Sequence, residues 1–278
     1  MKPEEWEKLL LGATERVRVE VSNLAVGDER TKSVGVGASG DRTLLADKVA
    51  EDELMETLLR VAGTKVLSEE AGFRGDPDGD TLAVVDPLDG SSNFSRGIPF
   101  YCTSVAVIEG NTLEDIKVGV VRDLLTGDVY HAVRGMGTKK NGTPVHASQV
   151  VDVSRAVLGI DLSRDNSERV ARLAPLVSAA SRQVHFGANA LELSYVSDGT
   201  LDAFVDIRGR IRITDLAAAF LVASEAGATI SDPQGNELEA VFDLKHRLSF
   251  VASANLHLHK EILRLCGPAG QVTRQSRV

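Results

Sequence analysis

Aromatic side chains are scarce in this chain, 4% of 278 residues, although hydrophobic residues as a whole reach 43%. Any core it builds is therefore made mostly of Leu, Val, Ala and Ile. Cysteine is nearly absent. Cys102 and Cys266 form neither a disulfide framework nor a metal-ligand spacing, so buried thiols in a reducing cytoplasm are expected, a single bridge being the alternative. Long hydrophobic runs are missing, and nothing approaches the ~20 residues of a membrane-spanning helix. The N-terminal Met-Lys-Pro-Glu-Glu-Trp-Glu has no apolar signal region. These absences predict a cytoplasmic protein with no membrane partner. Positive charge is also in deficit, 31 Lys and Arg against 40 Asp and Glu, for a formal net charge of −9. That balance argues against non-specific nucleic-acid binding and against a polybasic anchor. Internal repeats and low-complexity tracts are lacking as well.

What the chain does have is an acidic turn at 82–94, Leu-Ala-Val-Val-Asp-Pro-Leu-Asp-Gly-Ser-Ser-Asn-Phe. The apolar run 82–85 reads as a buried strand. Pro87 has no N–H for a sheet, so the strand is expected to stop at Asp86, with the turn returning Asp89 beside it. Two such carboxylates make a poor salt bridge and a good hard-cation site. Mg²⁺ takes oxygen ligands in near-octahedral geometry, usually with a substrate phosphate completing the shell. Gly90 lets backbone approach a ligand, and Ser91 or Ser92 can open a helix whose free N–H groups face an anion. Cation and anion sites sharing one turn point to phosphoryl chemistry. An ordinary Asp- and Gly-rich turn is the plain alternative, and only other carboxylates can decide against it.

The remaining pattern supplies them. Residues 3–24 read as an amphipathic helix, 33–42 as a Gly-rich loop able to close over a substrate, and 43–62 as a helix with Asp47 in its first turn. No Gly-Lys-Ser/Thr follows the glycines, which excludes a P-loop. Val66-Leu67 is a strand stub delivering Glu69 and Glu70, of which at most one enters a site. Strands at 103–109, 116–122 and 128–134 and a hairpin at Asn141-Gly142 predict an antiparallel sheet. From about residue 155 strands and helices alternate, which places a boundary between an N-terminal segment 1–155 and a C-terminal segment 156–278. Residues 206–215 carry three arginines, suited to phosphate in an otherwise acidic protein. Thr214 is expected to cap a buried helix over 215–226 and so to place Asp215 at its positive end.

In order along the chain, Ser68-Glu69-Glu70, Asp86-Pro87-Leu88-Asp89-Gly90-Ser91 and Thr214-Asp215-Leu216-Ala217-Ala218 resemble the G-E-E, D-P-[IL]-D-G-[ST] and W-D-x-A-[AG] motifs of the inositol monophosphatase superfamily. The look is that of its archaeal-type bifunctional fructose-1,6-bisphosphatase/inositol monophosphatase branch, and it covers essentially the whole chain. The resemblance implies a mixed α/β sugar-phosphatase fold, a layered αβαβα sandwich. It also implies a Mg²⁺-dependent, Li⁺-sensitive phosphatase of carbohydrate metabolism, homodimeric, acting on small phosphorylated sugars or polyols. It implies two or three Mg²⁺ per subunit, with Mn²⁺ able to substitute. One would be held by Glu69, Asp86 and the Leu88 carbonyl, a second by Asp86, Asp89 and Asp215, and a weaker third near Glu69 and the Gly-rich loop. Asp47 and the Ser91 hydroxyl match the pair that positions the attacking water. Gly90 and Ser91 N–H groups match the phosphate contacts, and Asn189 a substrate contact. Arg208 is the candidate for a second phosphate or a sugar hydroxyl. Thr214 stands where Trp is usual, and Ser91 where Thr is usual.

Two cations about 3.5–4 Å apart can clamp the attacking and leaving oxygens of an in-line displacement. Carboxylates at contact distance otherwise repel strongly. A haloacid-dehalogenase-type phosphatase is disfavoured, since it needs its two Asp residues two apart, and here they are three apart with Pro between. The alternatives that stay open are a phosphatase for NADP or 3′-phosphoadenosine nucleotides and a non-catalytic binding protein of the same fold.

Overall fold

The computed structural model describes residues 1–164 and 166–267. Residues 165 and 268–278 of the expected C-terminal segment lie outside the described residues. The elements run in the order α1 (Pro3–Leu24), β1 (Ser33–Val36), β2 (Arg42–Leu44), α2 (Leu45–Leu58), β3 (Thr64–Ser68), β4 (Gly72–Gly75), β5 (Thr81–Asp89), α3 (Ser91–Arg96), β6 (Cys102–Ile108), β7 (Ile116–Asp123), β8 (Val129–Val133), β9 (Thr138–Lys140) and β10 (Thr143–Val145). They continue with β11 (Val157–Ile160), α4 (Ser167–Ala179), β12 (Arg182–Val184), α5 (Asn189–Ser197), β13 (Ala203–Ile211), α6 (Ile213–Glu225), β14 (Thr229–Ser231), β15 (Leu248–Ser253) and α7 (Leu256–Cys266).

An eight-stranded sheet has the order β10-β9-β8-β7-β6-β5-β3-β4, in which only β3 and β5 run parallel. A five-stranded sheet has the order β12-β11-β13-β15-β14, with β11 parallel to both neighbours. Helices α1 and α2 cover the outer face of the large sheet, α4 and α7 the outer face of the small one, and α5 and α6 lie between them. This is the expected αβαβα layering. Every residue of α6 from Ile213 to Ala223 is buried, as a helix apolar on all sides must be. The outer α1 buries only Trp6, Leu10, Ala13, Thr14, Val17 and Val21, one stripe at helical spacing. Cys102 and Cys266 are both buried free thiols. Among the described residues no helix is long and apolar enough to cross a membrane.

The middle layer packs closely. A Cβ built on Gly119 of β7 would stand 2.6 Å from the Ala218 carbonyl oxygen of α6. Gly119→Ala is therefore expected to push the helix off the sheet and to cost about 1–3 kcal/mol, the usual range for overpacking. A chemical-denaturation midpoint equal to that of the native chain would contradict this contact.

Four local expectations are corrected. The stretch 33–42 is a β-hairpin, β1 with β2, around a turn at 37–41. Thr43 and Leu44 finish that hairpin, so α2 is shorter than 43–62 at both ends. β5 does not stop at Asp86 and continues through a bulge to Asp89. The N-cap of α6 is Arg212, and Thr214 lies inside the helix.

Candidate active site

The bulge brings the two aspartates of the acidic turn together. β5 carries Pro87 and Leu88 where β6 has only Thr103, between the pairs Asp86–Ser104 and Asp89–Cys102. In a regular strand residues three apart face opposite sides, and one extra residue resets that alternation. A bulge is also where a sheet tolerates the missing N–H of Pro87. The Leu88 N–H donates to Asp86 Oδ1 at 3.1 Å, which holds the kink. Gly90 follows with φ 89°, and a Cβ there would lie 3.0 Å from the Phe100 carbonyl oxygen and 3.1 Å from Ala188 Cβ. Glycine alone fits, so α3 can start at Ser91 directly behind the carboxylates.

Glu69 arrives from the neighbouring strand. The parallel register sets Ser68 opposite Val85, so the next residue of each chain is an acid, Glu69 beside Asp86. Asp215 comes from α6 in the middle layer. As the third residue of α6 its Oδ2 accepts the Arg212 N–H at 3.5 Å and the Asn189 Nδ2 at 3.4 Å. One carboxylate oxygen from each of Glu69, Asp86 and Asp215 lies within 4.8 Å of the others. Asp89 flanks this group, its Oδ2 accepting the Ala190 N–H of α5 at 2.7 Å and the Cys102 thiol at 3.6 Å.

Burial and crowding show in the acidities. Glu69 is pushed up to about 8 by burial and then by Asp215, with Arg212 opposing. Asp89 is pushed up to about 8 by burial and then by Asp215, against the amides of Ala190 and Asn189. Asp86 is raised well above its ordinary value by burial, Glu69, Asp89 and Asp215. Like charges gathered out of water and offset mainly by one guanidinium invite a cation. The donors are all oxygen, the chemistry of a hard divalent ion, so the residues present fit the expected metal. Asn189 Oδ1 adds a buried acceptor with no partner among the described residues.

The other expected site residues are placed as follows. Asp47 is 3% exposed and accepts the Leu44 N–H at 2.6 Å. Burial raises its pKa to about 7, the Leu44 amide opposing and Glu70 and Glu51 adding. Ser91 is half-buried at the start of α3. Among the described residues no hydrogen bond joins Asp47 to Ser91. Of the adjacent glutamates, Glu69 joins the cluster, and Glu70 turns to the Thr43 hydroxyl of the hairpin. Arg208 is 8% exposed and engaged inside the chain. Its guanidinium bonds Asp206 at 3.1 Å and Ser163 Oγ at 2.7 Å, and it also pairs with Asp161. The arginine that meets the cluster is Arg212, whose Nη1 lies 2.8 Å from Glu69 Oε1.

Arg212 was detectable in sequence only as one of three arginines. The sharper signal was its position three residues before Asp215, the spacing of a helix N-cap and its N3 acid. Two buried glutamates carry no local signal in the sequence. Glu51, one turn after Asp47, accepts from Ser68 Oγ at 2.6 Å and from the Ala71 N–H at 2.7 Å, and so steadies the segment bearing Glu69. Glu192, fully buried, takes the N–H groups of Phe186 and Gly187 at 3.0 and 2.8 Å and orders the approach to Asn189. Nothing in the local pattern separates such acids from solvated ones.

The chain is similar to known proteins over most of its length. Residues 5–269 match the model of the inositol monophosphatase family. A fructose-1,6-bisphosphatase/inositol-1-monophosphatase of Methanothermobacter thermautotrophicus is 36% identical over 93% of this chain and 95% of its own length. A bifunctional NADP phosphatase/NAD kinase of Methanococcus maripaludis is 30% identical over 94% of this chain and 49% of its own length. Among solved structures, an inositol monophosphatase–fructose 1,6-bisphosphatase superposes with TM-score 0.83 at 29% identity, covering 95% of this chain and all of the other. With its acidic cluster, layering and motifs in agreement, this chain belongs to the metal-dependent inositol monophosphatase family of phosphoric monoester hydrolases.

Proposed function

We propose that the chain is a Mg²⁺-dependent phosphatase for sugar or polyol phosphate monoesters, fructose 1,6-bisphosphate and inositol 1-phosphate first among them. The observation that carries this reading is the convergence of Glu69, Asp86 and Asp215 within 4.8 Å, joined to the 36% identity with an enzyme named for both activities. Glu69, Asp86, the Leu88 carbonyl, Asp89 and Asp215 would hold two Mg²⁺, and Glu69 with the 37–41 turn a weaker third, Mn²⁺ substituting. Bound there, the ions supply Lewis acidity and lower the pKa of a water.

The protein's own part is positioning. Asp47, with a pKa of about 7, can hold or release a proton near neutral pH and, with the Ser91 hydroxyl, orient water. The Gly90 and Ser91 N–H groups receive phosphate oxygens at the start of α3. Asn189, tethered to Asp215 at 3.4 Å, reaches the substrate from the C-terminal segment. The division near residue 155 belongs to this proposal, most ligands coming from 1–155 and Asp215 from 156–278, as does a homodimer.

Phosphate release tests it, with fructose 1,6-bisphosphate, inositol 1-phosphate and NADP offered in Mg²⁺ and in excess chelator. Metal-dependent release from either of the first two is expected. Release from NADP alone would transfer the reading to the dinucleotide phosphatases, and no release from any ester would end it.

A further inference from the structure

Arg212 links its own helix start to two stretches far away in the chain. Its backbone N–H meets Asp215 Oδ2, its Nη1 lies 2.8 Å from Glu69 Oε1, and its Nη2 binds Asp41 Oδ2 in the turn of the β1–β2 hairpin. We propose that Arg212 is a positioning residue of the phosphatase reaction, latching the 37–41 turn onto the carboxylate cluster through Asp41 while it aims Glu69. This inference deepens the proposed function and rests on that reading for its kinetic part only.

The free strand and the turn of the hairpin have little else to hold them. Thr43 and Leu44 of β2 are buried and the Thr43 hydroxyl bonds Glu70, but all four residues of β1 are exposed, so apolar burial anchors β2 and contributes little to docking β1 and the turn. The turn reaches the body of the protein through the Ala38 N–H on the Glu70 carbonyl at 2.8 Å and the Ser39 N–H on the Glu69 carbonyl at 3.1 Å. Those bonds bring an acidic residue, Asp41, towards an acidic cluster, and like charges oppose that approach. Arg212 reverses the sign of the interaction. Its planar fork serves the two carboxylates from separate nitrogens, Nη2 for Asp41 and Nη1 for Glu69, so neither pair excludes the other. A lysine offers one nitrogen and no such fixed division. The turn and Glu69 are therefore tied to one rigid group, and displacement of either is felt by the other.

Hydrogen exchange at the Ala38 and Ser39 amides tests the latch without any catalysis. Asp41→Asn, Arg212→Gln and the double variant are each expected to speed exchange there by roughly three- to fivefold, the scale of one partly exposed ion pair. The double variant should exchange no faster than Arg212→Gln, because Asp41 has already lost its partner there. Unchanged exchange in Asp41→Asn, or a double variant equal to the product of the singles, overturns the latch. In an active enzyme Asp41→Asn should lower kcat/KM by a similar factor, and an unchanged value overturns the positioning role. If the native chain cleaves no ester at all, the phosphatase reading fails, and the exchange result still stands or falls by itself.

Discussion

Asp89→Asn is expected to lower Mg²⁺-dependent phosphate release about a thousandfold while leaving the fold intact. The rate loss follows from removing one ligand charge. A bound cation is worth several kcal/mol to the charge that develops in phosphoryl transfer, and ~4 kcal/mol corresponds to about three decades of rate. The fold survives because asparagine keeps an acceptor oxygen for the Ala190 N–H that Asp89 Oδ2 now receives at 2.7 Å. The carboxyl is also held up to about 8 by burial and by Asp215. Removing its charge relieves repulsion, so the metal-free variant should melt at or above the native chain at pH 8. Phosphate release and circular dichroism on the same preparation check both halves. Full activity in the variant would remove Asp89 from the metal site.

The second large effect is the pH dependence of the metal-free chain. Glu69 and Asp89 sit near 8 in the folded protein, against ordinary values of 4.5 and 3.8. Between those limits the folded chain binds more protons than the unfolded one, so unfolding free energy falls as pH rises. The contribution is complete below about pH 4 and lost as pH climbs through about 8. In chelator the melting temperature is therefore expected to decline across this window, and Asp89→Asn should flatten the decline. Mg²⁺ at about a hundred times its dissociation constant should return ~2.7 kcal/mol by mass action, most visibly at the alkaline end. A melting temperature that rises with pH in chelator, or ignores Mg²⁺ at pH 8, would contradict the electrostatics of the cluster.

Much of this was legible before folding because it is local. The stripe of α1, the strands at 103–109, 116–122 and 128–134, and the Asn141-Gly142 turn follow from periodicity and backbone preference. Asn141 and Gly142 indeed have φ of 52° and 79°, as a tight hairpin turn requires. The hairpin at 33–44 was not legible. Its glycines read as a mobile loop, whereas the tertiary bonds of Ala38 and Ser39 to Glu70 and Glu69 hold it in place. Pro87 read as the end of a strand, because the sequence does not show that β6 would accommodate a bulge there. Arg208 read as an anion contact, and no local rule shows that it also pairs with Asp161 and Asp206.

By itself the sequence determined most of the long helices and strands, the apolar middle helix and the three acidic motifs, since spacing along one strand or helix fixes which side chains share a face. Only the tertiary structure decided that those motifs meet. The parallel pairing of β3 with β5 sets Glu69 beside Asp86, and the packing of α6 on the large sheet brings Asp215 to them. It also decided the ion pairs of the arginines, Arg212 meeting Glu69 and Arg208 meeting Asp161. Charges attract and repel through space, and neighbours in space are chosen by burying apolar layers that lie far apart along the chain.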